Sequence, residues 1–107
     1  EALRVGRTAR ELQDQGLPVQ VSSAPLAANP MAQAHAQTQG FVKVCWSHGK
    51  VAGVTACGWD VSRLATTAAI LVDQGWTRDQ ALELIFPHPT LDETLLAALA
   101  AEPKDIA

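Results

Sequence analysis

The sequence predicts an α+β fold in which helices pack on a small antiparallel sheet. Turn signals and alternating apolar residues mark strands before Gly58, and after Gly58 the apolar period changes from two to about 3.6 residues. Strands that are grouped before helices favour α+β over an alternating α/β architecture. No internal repeat and no long linker interrupts the sequence, so we expect a single domain over residues 1–107.

The first predicted element is a helix over residues 7–16. Thr8 and Glu11 have the spacing of a capping box, in which two side chains satisfy free backbone N–H groups. Gly16 follows where helices commonly end. Both ends of this helix therefore carry a sequence signal.

Residues 17–26 follow as a predicted strand. The stretch contains β-branched residues and has prolines near its ends, which is typical of an edge strand. Residues 27–40 are alanine-rich, but Asn29-Pro30 interrupts them. We expect a loop there with at most one helical turn.

A β-hairpin is the clearest pattern in the sequence. Residues 41–47 and 51–58 form its two arms, and His48-Gly49-Lys50 forms the turn. One face of the first arm carries Val42, Val44 and Trp46. We expect this face to be buried.

The two cysteines lie on different arms of this hairpin. Cys45 and Cys57 are offset along the strands by three or four residues, on the order of 10 Å. A disulfide requires Cα atoms within about 7 Å, so both are expected to be reduced and semi-buried. No metal site is predicted at either cysteine.

Three helices are predicted after the hairpin. Residues 60–75 form the first, which ends at Gly75 and has an apolar stripe. Its members are Leu64, Ala68, Leu71 and Val72. Residues 77–86 form a short helix that Thr77 and Gln80 cap. Residues 90–102 form the last one, with Leu91, Leu95, Ala98 and Leu99 in phase.

Composition and charge exclude several classes of protein. Hydrophobic residues make up 48% of the chain and charged residues 18%, which argues against intrinsic disorder. A net charge of −3 gives no electrostatic footprint for nucleic acid or a membrane surface, and no apolar run is long enough to span a membrane. Without a visible signal peptide we expect a cytoplasmic protein. The chain starts at Glu1, so we expect a fragment or a processed product.

The motif HPTLDE over residues 88–93 has two interpretations. In the first, Thr90 and Glu93 are another capping box and His88 is a surface loop residue between helix-entry prolines. Local pattern alone favours this interpretation. In the second, His88 is an acid–base residue and Glu93, one turn inside the helix, reaches back to orient its ring. Pro87 and Pro89 would hold the approach rigid, and an X-Pro bond can be cis.

Five stretches occur in an order that resembles one known family. They are VGRTARELQDQG, GFVKV, GKVAGVTACG, ATTAAILVDQG and HPTLDETL, within residues 5–101. Together they resemble the C-terminal dimerisation domain of the pyridine nucleotide-disulfide oxidoreductases, most closely that of dihydrolipoamide dehydrogenase. HPT-x-x-E after the hairpin and the helix pair is the specific signal, and the others are weak singly.

The resemblance implies a larger parent protein. An FAD domain with a redox disulfide, an NAD domain and a central domain would precede this chain. FAD and NAD would therefore act in the parent, and we expect this fragment alone to bind no cofactor and to be inactive. Cys45 and Cys57 do not inherit the role of the redox cysteines. The resemblance also implies a homodimer through this domain, in which each active site is completed by the partner subunit.

The resemblance also implies roles for the motif residues. His88 would be the acid–base for the dithiol substrate at the partner's disulfide, and Glu93 would orient it. The backbone around His88 and Pro89 would lie against the flavin of the partner subunit. The implied reaction converts dihydrolipoamide and NAD⁺ to lipoamide and NADH, and a lipoyl domain is a candidate partner.

Several positions depart from the family pattern and leave the substrate open. Arg63 stands where an acidic or amide residue is frequent, Asp92 where serine or threonine is common, and Pro87 before the histidine is unusual. AANPMAQAH also lacks an expected Asn-x-Arg-Ala stretch. A glutathione-reductase-like or other disulfide reductase is an alternative. A mercuric-reductase-like protein is disfavoured, because the chain ends in EPKDIA without a cysteine pair.

A non-catalytic dimerisation module is the alternative from another functional class. The sequence keeps His88, Pro89, Thr90 and Glu93 together. Dimerisation alone does not require that set, so the motif favours the domain of an enzyme over a simple interaction module.

Overall fold

The structure is a computed structural model, and it describes residues 1–106 of the chain. Its centre is a sheet in which each pair of neighbouring strands is antiparallel. The strands are β1 (Ala2–Gly6), β2 (Gln20–Pro25), β3 (Gly40–Ser47), β4 (Lys50–Gly58) and β5 (Lys104–Asp105). Their spatial order is β1-β4-β3-β2-β5, which confirms the predicted antiparallel sheet.

Helices pack on this sheet and confirm the α+β prediction. They are α1 (Ala9–Asp14), α2 (Pro30–Ala34), α3 (Ala65–Gln74), α4 (Arg78–Ala81) and α5 (Glu93–Ala100). Short 3₁₀ turns at Leu26–Ala28 and Val61–Leu64 precede α2 and α3. Helix α3 contacts β1 and β4, and α5 contacts β2 and β3. No helix within residues 1–106 is both long enough and apolar enough to cross a membrane.

The two faces of the sheet have separate cores. Val42, Val44 and Trp46 are buried in one cluster with the apolar residues of α3 and α5, as the hairpin pattern predicted. Successive residues of a strand point to opposite faces, so Cys45 lies on the other side. There it packs with Leu12 of α1. The sheet is therefore a layer between α1 and the α3–α5 pair.

A buried polar link joins the sheet to α5. The Trp46 indole Nε1 donates a hydrogen bond to Ser22 Oγ at 2.8 Å, and Ser22 Oγ donates to the Ala98 carbonyl at 2.6 Å. Buried polar groups need such partners, because an unpaired one costs the free energy of its lost hydration. This link fixes α5, the helix that begins with Glu93, relative to β2 and β3.

The hairpin of β3 and β4 is confirmed, with a shorter turn than predicted. His48 and Gly49 have φ values of 52° and 75°, which is the conformation of a two-residue hairpin turn. Lys50 belongs to β4, where it pairs with Ser47.

The cysteines are offset within the hairpin as the sequence predicted. Cys45 pairs with Gly53, Cys57 pairs with Phe41, and both thiols are free. The expectation that both are semi-buried was wrong, because Cys45 is fully buried and Cys57 is exposed. Burial raises the pKa of the Cys45 thiol, and the charge of Lys43 opposes that shift.

Two strands were absent from the prediction. Both β1 and β5 lie at edges of the sheet. Three of the five β1 residues and both β5 residues are exposed, so their apolar pattern is weak. Close packing beside β1 depends on Gly53. A Cβ atom there would lie 1.9 Å from the Arg7 carbonyl oxygen, so only glycine lets the two backbones approach.

Several predicted helix ends are confirmed. Thr8 Oγ1 accepts a hydrogen bond from the Glu11 N–H, and Thr77 and Gln80 form a complete capping box. Gly75 ends α3 with a φ of 58°. The helix predicted over residues 77–86 stops at Ala81, however, and the residues before Pro87 form an irregular loop.

Candidate functional site

The loop between α4 and α5 carries the HPT motif on the molecular surface. Ile85 is 95% exposed, and the His88 side chain is 71% exposed. Pro87 and Pro89 flank the histidine and are exposed as well, and the His88–Pro89 peptide bond is cis. The loop therefore presents an imidazole among apolar side chains.

His88 and Glu93 are in direct contact. Nδ1 of His88 lies 2.9 Å from Oε1 and 3.1 Å from Oε2 of Glu93. Within residues 1–106 the hydrogen bonds of the ring involve Nδ1 alone, so Nε2 is available to a molecule outside this chain. A carboxylate at one ring nitrogen fixes the orientation of the ring and favours the tautomer with the proton on that nitrogen.

Glu93 also accepts a backbone hydrogen bond, at 3.0 Å from the N–H of Thr90 to Oε1. This bond is the main cause that lowers the pKa of the Glu93 carboxyl. Desolvation opposes it as the second-largest effect, and the hydrogen bond and charge of His88 each lower the pKa by less. Glu93 is therefore held in its charged form, which is the form that orients an imidazole.

Glu93 combines the two roles considered for it in the sequence, because it caps the turn before α5 and also contacts His88. One half of the capping box exists, because the Glu93 carboxylate accepts from the Thr90 N–H. The other half does not, since the Glu93 N–H donates to the Thr90 carbonyl at 3.3 Å and not to Thr90 Oγ1, which itself donates to the Pro87 carbonyl at 2.7 Å. Helix α5 accordingly begins at Glu93 and not at Thr90. The same carboxylate closes the turn and contacts His88.

Asn29 supports the site and was missed in the sequence. Its side chain is buried, Oδ1 accepts from the N–H groups of Met31 and Ala32, and Nδ2 donates to the Thr90 carbonyl at 2.9 Å. Asn29-Pro30 was interpreted as an interruption. An asparagine before a proline is also the signal of an N-cap followed by the first helical residue, and that signal would have found α2.

A second support reaches the loop from the segment before α3. Arg63 Nε lies 2.8 Å from Asp92 Oδ1, and Arg63 Nη1 lies 3.6 Å from Asp60 Oδ2. Asp92 is the residue directly before Glu93. The turn that carries Glu93 thus has contacts to α2 on one side and to Arg63 on the other.

The described residues do not assemble a metal centre. Across residues 1–106, no three side chains of histidine, cysteine, aspartate or glutamate lie close enough together to hold a metal ion. Because Glu93 holds Nδ1, Nε2 is the atom of the His88 ring that can exchange a proton with another molecule.

Comparison with known proteins links this chain to one family. The family model of the pyridine nucleotide-disulphide oxidoreductase dimerisation domain matches residues 1–99. The chain is 31% identical to dihydrolipoyl dehydrogenase of Zymomonas mobilis over 99 residues, covering 91% of this chain and 21% of the relative. It is 29% identical to the human mitochondrial dihydrolipoyl dehydrogenase over 100 residues, covering 92% of this chain and 20% of the relative.

Solved structures agree with this assignment. The HOCl-induced flavoprotein disulfide reductase RclA from Escherichia coli superposes with a TM-score of 0.84 at 25% identity, over 92% of this chain and 23% of that one. LpdA from Mycobacterium tuberculosis shares the fold, with a TM-score of 0.83 at 21% identity over 92% of this chain and 22% of that one. The chain spans about a fifth of the length of the curated relatives it matches. It belongs to the dimerisation-domain family of the pyridine nucleotide-disulphide oxidoreductases.

Proposed function

We propose that this chain is the dimerisation domain of an FAD-dependent disulfide oxidoreductase and that His88 is its acid–base residue. In this proposal the domain forms a homodimer, and His88 acts at the redox disulfide of the partner subunit. The observation that carries the proposal is the exposed imidazole whose Nδ1 is held by Glu93 while Nε2 is left for an outside molecule. An exposed histidine with only a structural role does not need a carboxylate to orient its ring.

The proposed proton transfer uses Nε2 of His88. Glu93 holds the proton on Nδ1, so Nε2 accepts the proton of a substrate thiol. The resulting thiolate attacks one sulfur of the partner's disulfide, which forms a mixed disulfide and releases the other sulfur as a thiolate. The second substrate thiol then passes its proton to the enzyme thiolate released in the first step and displaces the other enzyme sulfur as a thiolate, which closes the substrate disulfide. Over the whole reaction a dithiol and NAD⁺ become a disulfide, NADH and a proton.

The loop around His88 fits a flat apolar ring in the partner subunit. Ile85, Pro87 and Pro89 are exposed beside the imidazole, and a buried flavin ring would cover such a surface. FAD, when bound, carries electrons from the dithiol to NAD⁺. His88 and Pro89 would contact the partner's flavin from this loop. Because the FAD and NAD domains would lie outside this chain, the chain alone is expected to bind neither cofactor and to be inactive.

The preferred substrate is dihydrolipoamide, with a lipoyl domain as its carrier. Two relatives that align over nine-tenths of this chain are named dihydrolipoyl dehydrogenase, which favours this dithiol. A disulfide reductase with another substrate, such as glutathione disulfide, is the second candidate. The similarity to a flavoprotein disulfide reductase at a TM-score of 0.84 favours that alternative.

The test is NAD⁺-dependent oxidation of dihydrolipoamide by the longer protein that contains this chain. We expect His88→Gln to keep the flavin spectrum and the dimer while dithiol oxidation falls by roughly 10²–10⁴-fold. His48→Asn is the matched control, because it removes another exposed imidazole at a position of positive φ that asparagine tolerates. We expect His48→Asn to be fully active.

Each alternative predicts its own result. Turnover of glutathione disulfide but not of dihydrolipoamide would identify glutathione disulfide as the substrate and leave the proposed role of His88 unchanged. Unchanged turnover in His88→Gln would remove His88 from the mechanism. A longer protein that dimerises without flavin would make this chain a non-catalytic dimerisation module.

A further inference from the structure

Arg63 is an ion-pair partner of the residue that precedes Glu93. Its Nε atom lies 2.8 Å from Oδ1 of Asp92, and its Nη1 atom lies 3.6 Å from Oδ2 of Asp60. The side chain of Arg63 is half exposed, whereas that of Asp92 is 25% exposed. Arg63 therefore reaches from the turn before α3 to the first turn of α5.

The Asp92 atom that Arg63 contacts is shielded from solvent. Oδ1 of Asp92 is buried and accepts no hydrogen bond within residues 1–106, so Arg63 is its charged partner there. A carboxylate oxygen that has lost its water and its counter-ion is strongly destabilised. Without Arg63, the backbone at Asp92 would have to move to return this oxygen to solvent.

Such a movement would be transmitted to Glu93. Asp92 and Glu93 are adjacent, and the backbone between Thr90 and Glu93 is a tight turn closed by the Glu93 carboxylate on the Thr90 N–H. A shift of the turn would lengthen that bond and the contact of Glu93 with His88. Two neighbouring carboxylates without a counter-charge would also repel each other.

We propose that Arg63 and Asp92 form a positioning pair that holds the Glu93 carboxylate against Nδ1 of His88. The inference rests on the proposed function, because orienting His88 matters when His88 transfers a proton. Arg63 and Asp92 touch neither substrate nor cofactor in this proposal. They act through Glu93, which fixes the position and orientation of the His88 imidazole.

Variants at position 63 can separate the charge of the side chain from its apolar stem. Arg63 touches Asp92 through Nε, and a lysine Nζ atom lies one bond farther along the side chain than Nε does. Arg63→Lys therefore keeps a charge within reach of Asp92, whereas Arg63→Met keeps the apolar stem and loses the charge. Arg78→Met is the matched control, because Arg78 donates to the Leu99 and Ala100 carbonyls at the other end of the same helix.

The measurements are made on the longer protein that contains this chain, with flavin content and dimerisation checked for each variant. We expect Arg63→Met to lower kcat for dithiol oxidation by about tenfold with little change in KM, since a misplaced catalytic group slows the chemical step. Arg63→Lys is expected to retain most of the activity. Arg78→Met is expected to lose stability and to keep kcat.

A second readout does not depend on the reaction. The pKa of the Glu93 carboxyl, followed by NMR with labelled glutamate and assigned with Glu93→Gln, is expected to rise in Arg63→Met because the Thr90 N–H bond that lowers it is weakened. In Arg78→Met the pKa of the Glu93 carboxyl is expected to stay at its wild-type value. If Arg63→Met does not fold, Asp92→Asn is measured instead, where a similar loss in kcat is expected and an unchanged kcat would overturn the inference.

The outcomes separate this inference from the proposed function. A wild-type protein without disulfide chemistry defeats the proposed function, and the Glu93 titration then still decides whether Arg63 positions the carboxylate. An unchanged kcat and an unchanged Glu93 titration in Arg63→Met would overturn the inference. Equal losses of kcat in Arg63→Met and Arg78→Met would also overturn it, since that pattern reports general destabilisation of α5.

Discussion

Asn29 Nδ2 donates a hydrogen bond to the Thr90 carbonyl at 2.9 Å, although the two residues are 61 positions apart in the sequence. The same side chain caps α2 through Oδ1. One buried amide thus joins a short helix to the loop that carries His88. Replacing it tests how far the site depends on a distant segment.

Asn29→Asp separates the two roles of Asn29. Aspartate keeps an oxygen for the cap but places a second oxygen against the Thr90 carbonyl, where no donor remains. We expect a loss of about 1–3 kcal/mol in the free energy of unfolding and a lower kcat for dithiol oxidation. Chemical denaturation and steady-state kinetics measure the two effects. The neighbouring exposed change Gln33→Glu is the control, and equal effects in both variants would contradict an anchoring role for Asn29.

Glu93 should make the domain sensitive to acid. Its folded-state pKa lies below the ordinary value of 4.5, chiefly because of the Thr90 N–H bond. The unfolded chain therefore binds the proton more tightly, and the stabilisation by this group is present above pH 4.5 and is lost as the pH falls through the folded pKa. Glu93→Gln should flatten the dependence of stability on pH below 4.5. Parallel acid denaturation curves for wild type and Glu93→Gln would refute this prediction.

Ser22 should contribute more to stability than its small side chain suggests, because it satisfies two buried polar groups. Ser22→Ala leaves the Trp46 indole N–H and the Ala98 carbonyl without their shared partner in a buried place. We expect the free energy of unfolding to fall by about 1–3 kcal/mol, measured by denaturant titration followed through tryptophan fluorescence. Ser23→Ala is the matched control on the exposed face of β2 and should have an effect within about 0.5 kcal/mol. A neutral Ser22→Ala would mean that water replaces the lost hydroxyl.

Much of the fold could be predicted because local signals are strong where they exist. The hairpin, the end of α3 at Gly75 and the capping box at Thr77 follow from turn residues and apolar spacing. Edge strand β1 could not be found in this way. It is stabilised by pairing with β4, a distant segment, and a five-residue strand with three exposed and two partly buried residues carries too little pattern.

The site shows the same division between local and distant information. His88 and Glu93 are five residues apart, so the motif itself indicated their contact. Arg63 and Asp92 were noticed only as separate departures from a family pattern. Their ion pair crosses from the turn before α3 to the start of α5, and single-sequence reasoning has no means to pair two such residues. The support from Asn29 was missed for the same reason.

The order of the strands has a consequence for synthesis on the ribosome. Within this chain β1 emerges first, yet its sheet partner is β4, so Ala2 waits until Cys57 has been translated before the two can pair. The hairpin of β3 and β4 joins neighbouring segments and can form as soon as it leaves the exit tunnel. Nascent β1 is thus unpaired for about the first half of the translation of this domain, and α5 with Glu93 is among the last segments to be made.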